Sequence, residues 1–247
     1  AMWLSSLCSS ALKGKPDNEV VDFSERFQVL NEIMEVTTKP IIVDGDTGGR
    51  PEHFISHVKT LERMGVSAVV IEDKKGLKQN SLLGNSVQHM LEDKEVFAKK
   101  IKLGKEAVST SDFMIFARVE SFIAGNDLED ALERAKAYVK AGADGIMIHS
   151  YKADGEEVIA FLKNFKAMYP NIYTMVVPTT YSGVPEGQLK QHGANIVIYA
   201  NHLLRSAYPV MFKTAEKILQ DESCHVASEE YCMSMKEIFE VIDERKN

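Results

Sequence analysis

The sequence predicts an α/β fold of the parallel (β/α)₈ TIM-type barrel kind, and three observations point there. Short apolar runs alternate with helix-like stretches along the chain, the pattern of a parallel sheet with covering helices. Three segments repeat one shape: "RMGVSAVVIED", "KAGADGIMIHS" and "QHGANIVIYAN" each carry a helix end, a glycine, an apolar run and then polar residues. Polar chemistry also stands at the end of nearly every run: Asp44, Asp46, Glu72, Asp73, Arg118, Glu120, His149, Thr179 and Asn201. Residues from many strands gathered at one rim are the habit of a barrel. An open dinucleotide-binding sheet would show G-x-G-x-x-G after an early strand, and the sequence has no such stretch.

Taken in order, "AMWLSS" reads as a first strand and "PIIVDGD", from Pro40, as a second. "SAVVIED" follows Gly65, which suits the left-handed position after a helix. "FMIFARVE", from Phe113, is the next strand. "DLEDALERAKAYVKAG" is the clearest helix: Leu128, Ala131, Leu132, Ala135 and Val139 form one apolar stripe. Asp127 caps its start, and Asp130 and Arg134 stand one turn apart. Gly142 and Gly193 precede two further strands, with "YTMVVPTT" between them. These runs give seven strand candidates, one short of the eight of the fold, so the first βα unit is expected to precede Ala1. The segment from Asp221 to Tyr231 is polar and reads as a loop, and residues 232–247 read as a C-terminal helix. No low-complexity linker interrupts the chain, which predicts a single domain over residues 1–247.

A formal charge of -7 argues against a general nucleic-acid binder. Cys8, Cys224 and Cys232 are odd in number and not in metal-type spacing, which fits a reduced, cytoplasmic setting. No apolar stretch is long enough to span a bilayer, and the first residues lack the form of a signal peptide.

The strand ends carry the chemistry. Asp44 and Asp46 stand two apart, so their carboxylates can share one face. A hard cation would relieve their repulsion; a solvated turn is the alternative, because D-G and G-G are common turn pairs. Gly45, Gly48 and Gly49 leave room for a ligand to approach. Glu72 and Asp73 add acid at the next strand end. With oxygen donors and no Cys–His cluster, Mg²⁺ is a better choice than zinc. Arg118 lies inside an apolar strand and needs a partner: either an ion pair with a neighbour such as Glu120, or a clamp on phosphate or carboxylate. His149 has the same two readings. In "EDKKGLKQNS", Lys78, Asn80 and Ser81 could fold over a bound anion about Gly76, while Lys74 and Lys75 read as an exposed basic loop.

The segments "MWLSSL", "DGDTGG", "EDKKGLKQNS", "ARVESFIAG", "GIMIHSYKAD", "VVPTTY", "IYANHLLR" and "SMKEIF" together resemble the phosphoenolpyruvate mutase family, within the isocitrate lyase/phosphoenolpyruvate mutase superfamily. The resemblance covers nearly the whole chain. It implies Mg²⁺-dependent interconversion of phosphoenolpyruvate and phosphonopyruvate, an isomerase reaction that opens phosphonate biosynthesis. It also implies Asp44 as the direct Mg²⁺ ligand, with Asp46 and Glu72 holding metal-bound waters. Arg118 and His149 would bind the phosphoryl group, Asn80 would steady it in transfer, and Asp17 would lie near the reacting centre. Ser5 and the backbone N–H groups of Ser6 and Leu7 would hold the substrate carboxylate, Trp3 would form a wall, and Lys78 and Ser81 belong to the gate. The partners implied are the small-molecule substrate and further copies of the chain, in a homodimer or homotetramer whose C-terminal helix packs on a neighbouring barrel.

The chain departs from the family at Ser6, where glycine is usual, at Lys15 and Pro16 before Asp17, and in lacking the family's initial strand and helix. Isocitrate and methylisocitrate lyases carry a K-K-C-G-H type loop, which is missing here. Phosphonopyruvate hydrolase typically has threonine where this chain has Asn80. A hydrolase or 2-oxo acid lyase is therefore the alternative enzyme, and a non-catalytic barrel that binds an acid metabolite is the alternative outside enzymes.

Overall fold

A computed structural model describes residues 1–82 and 88–243. It divides into two compact units, Ala1–Ala200 and Asn201–Asn247. The first contains β1 (Met2–Leu4), α1 (Ser6–Leu12), α2 (Phe23–Val36), β2 (Ile41–Asp44), α3 (Pro51–Arg63) and β3 (Ala68–Glu72). It continues through α4 (Lys94–Ala107), β4 (Met114–Val119), α5 (Leu128–Lys140), β5 (Gly145–Ile148), α6 (Glu156–Met168), β6 (Tyr173–Val176), α7 (Glu186–Gln191) and β7 (Ile196–Val197). The second contains α8 (His202–Asp221), α9 (His225–Tyr231) and α10 (Met235–Val241).

The seven strands form one parallel sheet in sequence order, β1 to β7. Every strand expected from the sequence is present. Gly65, Gly142 and Gly193 each have positive φ, at 84°, 101° and 110°, as a residue after a helix end requires. In α5, Asp127 accepts the backbone N–H of Asp130 and the Arg134–Asp130 pair closes at 3.2 Å.

Both faces of the sheet are apolar, and the strand period of two sorts the residues between them. Ile41, Val43, Val69, Ile71, Ile115, Ala117, Ile146, Ile148 and Val176 pack into the larger core with residues of the helices. Ile42, Ala68, Val70, Phe116, Met147, Met175, Val177 and Ile198 form a second cluster on the other face, with Trp3 packed against it. This second face is the interior of the curled sheet. Asp44, Glu72, Arg118 and His149 each stand two residues beyond one of its members: Ile42, Val70, Phe116 and Met147. Alternation therefore brings all four onto the interior side, at the C-terminal ends of β2 to β5.

Two expectations for the second unit are corrected. The segment from Asp221 to Tyr231 is not a plain loop: it contains α9, which ends at Tyr231. The helix expected over residues 232–247 is confined to Met235–Val241, started by a capping box between Ser234 and Glu237, and residues 244–247 lie outside the described set.

Candidate active site

The loop after β2 turns back on itself through Gly45, Asp46 and Thr47. A Cβ at Gly45 would lie 2.8 Å from Val69 Cγ2 and 2.9 Å from the carbonyl of Val70. This glycine thus serves the close approach of β2 to β3, not ligand access as the sequence suggested. Asp46 follows with φ of 50°, a left-handed conformation that aspartate tolerates better than most side chains. Its carboxylate is thereby brought beside that of Asp44, as expected of the pair.

Lys78 binds both. Its Nζ lies 2.7 Å from Asp46 Oδ1, 3.6 Å from Asp44 Oδ2 and 3.3 Å from Asp17 Oδ1. Asp17 also accepts a 2.7 Å hydrogen bond from Asn80 Nδ2, so Lys15 and Pro16 do not keep it from the site. Burial alone would raise Asp44, but Lys78, Arg118 and Arg26 outweigh it and hold the carboxyl below the usual range. Burial would lower Lys78, yet Asp44 and Asp46 keep it firmly protonated.

A second group lies around Arg118. Its guanidinium is paired with Glu120 through Nε and with Glu72 through Nη2 at 3.3 Å. The same Nη2 donates to Ser81 Oγ at 2.8 Å and lies 2.9 Å from His149 Nδ1. His149 Nδ1 is also 3.0 Å from Glu120, so its tautomer decides whether it accepts from Arg118 or donates to the carboxylate. Burial, then Arg118, hold His149 below its ordinary value and so neutral. Glu120 is fully buried and strongly acidic: Arg118 and Lys74 overcome the effect of burial. The ion pair that was one reading of Arg118 is therefore real, and the side chain also stands among the site residues.

Glu72 differs from its neighbours. Both its carboxylate oxygens are buried and accept no hydrogen bond, and burial pushes its pKa up to about 7 against the pull of Arg118 and Lys74. Asp73, one residue on, faces the opposite side. It accepts from Tyr138 Oη at 2.6 Å and from the Glu120 N–H at 2.9 Å, pairs with Arg134 at 3.2 Å, and is part of the helix–sheet packing.

At the end of β1, Trp3 packs on the interior cluster, and its indole N–H is buried without a hydrogen-bond partner. Ser5 caps α1, accepting the Cys8 N–H at 3.2 Å. Leu7 lies in the first turn of α1, where backbone N–H groups have no intrahelical acceptor. Ser6 departs from expectation. Its N–H and its hydroxyl both donate to Asp44 Oδ2, at 3.2 and 2.7 Å, so this amide is already engaged.

Three central residues were not singled out from the sequence. Arg26, on α2, is buried, is paired with Asp46 and donates to the Asp44 carbonyl at 2.7 Å. Its signal was an arginine on the apolar stripe of Phe23, Phe27 and Leu30. Glu120 was weighed only as a partner for Arg118. Lys74 is buried, not the exposed loop residue expected: it donates to Ser81 Oγ at 2.5 Å and to the Gln79 carbonyl at 2.6 Å. The bend at Gly76, with φ of 79°, lets the segment fold back this way.

The chain matches the family model described as phosphoenolpyruvate phosphomutase over residues 1–219. That match spans the whole sheet and every residue of the site. The chain belongs to the phosphoenolpyruvate phosphomutase family. A phosphoenolpyruvate phosphomutase of Tetrahymena pyriformis is 40% identical over 239 residues, which are 96% of this chain and 78% of that protein. The crystal structure of the phosphoenolpyruvate phosphomutase from Streptomyces platensis subsp. rosaceus superposes with a TM-score of 0.91 at 34% identity, covering 99% of this chain and 83% of the other. A phosphonopyruvate hydrolase solved with oxalate and Mg²⁺ gives 0.87 at 30% identity, again covering 99% and 83%.

Among the described residues, no three His, Cys, Asp or Glu side chains form a ready-made metal cluster. The donors that do gather are carboxylates, the ligands a hard cation takes. The two Glu72 oxygens, ion-paired with Arg118 and Lys74 but accepting no hydrogen bond, add acceptor capacity on the same face. The set fits a divalent cation held by one or two direct carboxylates, with water completing its shell.

Proposed function

We propose that this family member is a phosphoenolpyruvate phosphomutase, an isomerase that interconverts phosphoenolpyruvate and phosphonopyruvate in phosphonate biosynthesis. The observation that carries the reading is the seating of the Lys78–Ser81 segment: Asn80 reaches Asp17, and Ser81 reaches Arg118. The segment thereby closes over the strand-end cluster, as transfer of a phosphoryl group away from water requires.

In this reading Arg118 and His149 receive the phosphoryl group, Arg118 by its guanidinium and His149 as a neutral donor. Asn80 steadies the group as it passes between the enol oxygen and the methylene carbon of one substrate, and Lys78 and Ser81 keep water out. Ser5 and the Leu7 N–H hold the substrate carboxylate beside Trp3. The Ser6 N–H is given to Asp44 instead. Asp44 would hold Mg²⁺, with Asp46 and Glu72 contributing through water. Bound there, Mg²⁺ offsets the negative charge of the substrate. Positioning and charge stabilisation supply the catalysis.

Both units belong to one functional domain over residues 1–247 in this reading, because the family match at 1–219 runs across the division at Ala200. The sheet is that of a (β/α)₈ barrel, and its partners are the small-molecule substrate and further copies of the chain, with the C-terminal helix exchanged between subunits. The reading includes neither a nucleic-acid nor a membrane partner, and a net charge of -7 accords with the first; among the described residues no helix is long and apolar enough to cross a membrane. Three free cysteines accord with a cytoplasmic setting.

³¹P NMR with phosphonopyruvate and Mg²⁺ tests the reaction. A phosphoenolpyruvate resonance should grow as phosphonopyruvate falls. Immediate inorganic phosphate without phosphoenolpyruvate would make the chain a hydrolase, and no change in either signal would end the enzymatic reading.

A further inference from the structure

Ser6 stands between two charged groups, Asp44 and Lys78. It is buried, at the start of α1. Its hydroxyl hydrogen goes to Asp44 Oδ2 at 2.7 Å, and its oxygen accepts from Lys78 Nζ. Lys78 has three N–H bonds to give. One goes to Ser6, one to Asp46 Oδ1 at 2.7 Å, and the third points to the Asp17 and Asp44 oxygens at 3.3 and 3.6 Å. The ammonium thus lies where positive charge is needed between Asp44 and Asp46, and Ser6 is the only uncharged side chain bonded to it among the described residues.

We infer that Ser6 is a positioning residue that latches Lys78 onto Asp44, making the lysine an internal counter-ion which an incoming divalent cation must displace. The inference rests on the reading of Asp44 as the cation-binding carboxylate. Lys78 and a cation compete for the same oxygens, and a ligand that meets a partly blocked site binds with its affinity reduced by the blocked fraction. The Ser6 hydroxyl strengthens the block twice, by occupying Asp44 Oδ2 and by holding the ammonium beside it. Cation arrival would release Lys78 from Asp44, so cation binding and the seating of the Lys78–Ser81 segment are coupled.

Trp3, the single tryptophan, lies three residues before Ser6 and reports on binding without turnover. The test is a Mg²⁺ titration by Trp3 fluorescence and by calorimetry, on the full chain without substrate. The proteins compared are the wild type, Ser6→Ala, Lys78→Met and the double variant. Ser6→Ala should bind Mg²⁺ about ten- to a hundredfold more tightly, the order expected when a hydrogen bond to a charged group is lost. In the Lys78→Met background the same substitution should have a clearly smaller effect, because only the hydroxyl's own bond to Asp44 is left to lose; a general structural effect of Ser6 would persist there in full. Without any cation, trypsin should cut Ser6→Ala after Lys78 several-fold faster than wild type. Unchanged or weaker Mg²⁺ binding by Ser6→Ala, or an equal effect in both backgrounds, overturns the latch while leaving the proposed reaction standing. Failure of the wild type to bind Mg²⁺ at all overturns both.

Discussion

Glu120 meets Arg118, Lys74 and His149 in a fully buried place, and it accepts from Ser81 at 2.6 Å. Removing its charge leaves two cations short of a partner in low dielectric, and breaking a buried pair from one side costs about 3–5 kcal/mol. Glu120→Gln keeps the shape and loses the charge, so the urea midpoint should fall by the equivalent of about 3 kcal/mol or more. An unchanged midpoint would show that the Arg118–Glu120 pair does not carry stability. At this scale the sequence was legible wherever a residue type sat at a strand end. Asp44, Glu72, Arg118 and His149 share the interior face because alternation fixes where they point. It was illegible where burial was decided from a distance. Lys74 reads as one lysine in a charged loop, and only the return of the chain over Ser81 covers it. Arg26 reads as a helical arginine, and only the turn at Asp46 makes it a partner of the site.

At the scale of elements, the seven strands were legible because each is a short apolar run closed by a turn signal, and because a sheet buried on both faces tolerates nothing else. The site depends on how closely those strands pack. Gly145 opens β5 beside Phe116 of β4, its registered neighbour. A Cβ there would lie 2.2 Å from Phe116 Cε1 and 2.5 Å from Cδ1. No real contact is that short, and Phe116 is fully buried, so the ring must move. Overpacking of this kind costs about 1–3 kcal/mol. Gly145→Ala should therefore lower the thermal midpoint, and Phe116→Leu added to it should recover part of the loss. Additive losses in the double variant would mean that the ring is not what opposes the methyl group. The helices of the second unit were less legible. Polar composition hid α9, since a helix need not be apolar to form. The capping box at Ser234 and Glu237 set the true start of α10 inside a run that read as helical from Cys232.

At the scale of the whole molecule, the second unit shows where the described chain remains unsatisfied. None of the residues of α8 is buried. Tyr208, Met211, Phe212 and Leu219 are exposed and recur at helical spacing, so they form a stripe along one side of the helix. Phe239 and Ile242, in and after α10, are exposed too. An exposed apolar stripe of the kind on α8 marks an interaction site more often than it marks solvent-facing structure. Further copies of the chain are the proposed partners, and burial of the stripe between copies would supply the missing contacts at roughly 25 cal/mol for each Å² removed from water. Sedimentation equilibrium at micromolar concentration should accordingly give a dimer or tetramer of the 27.6 kDa chain. Phe212→Asp places a charge in the middle of the stripe and should shift the distribution toward monomer, without altering the far-ultraviolet circular dichroism of the sheet-bearing unit. A wild type that stays monomeric throughout would remove the assembly and with it the exchange of C-terminal helices, while the strand-end cluster, built wholly from residues of the first unit, would stand unchanged.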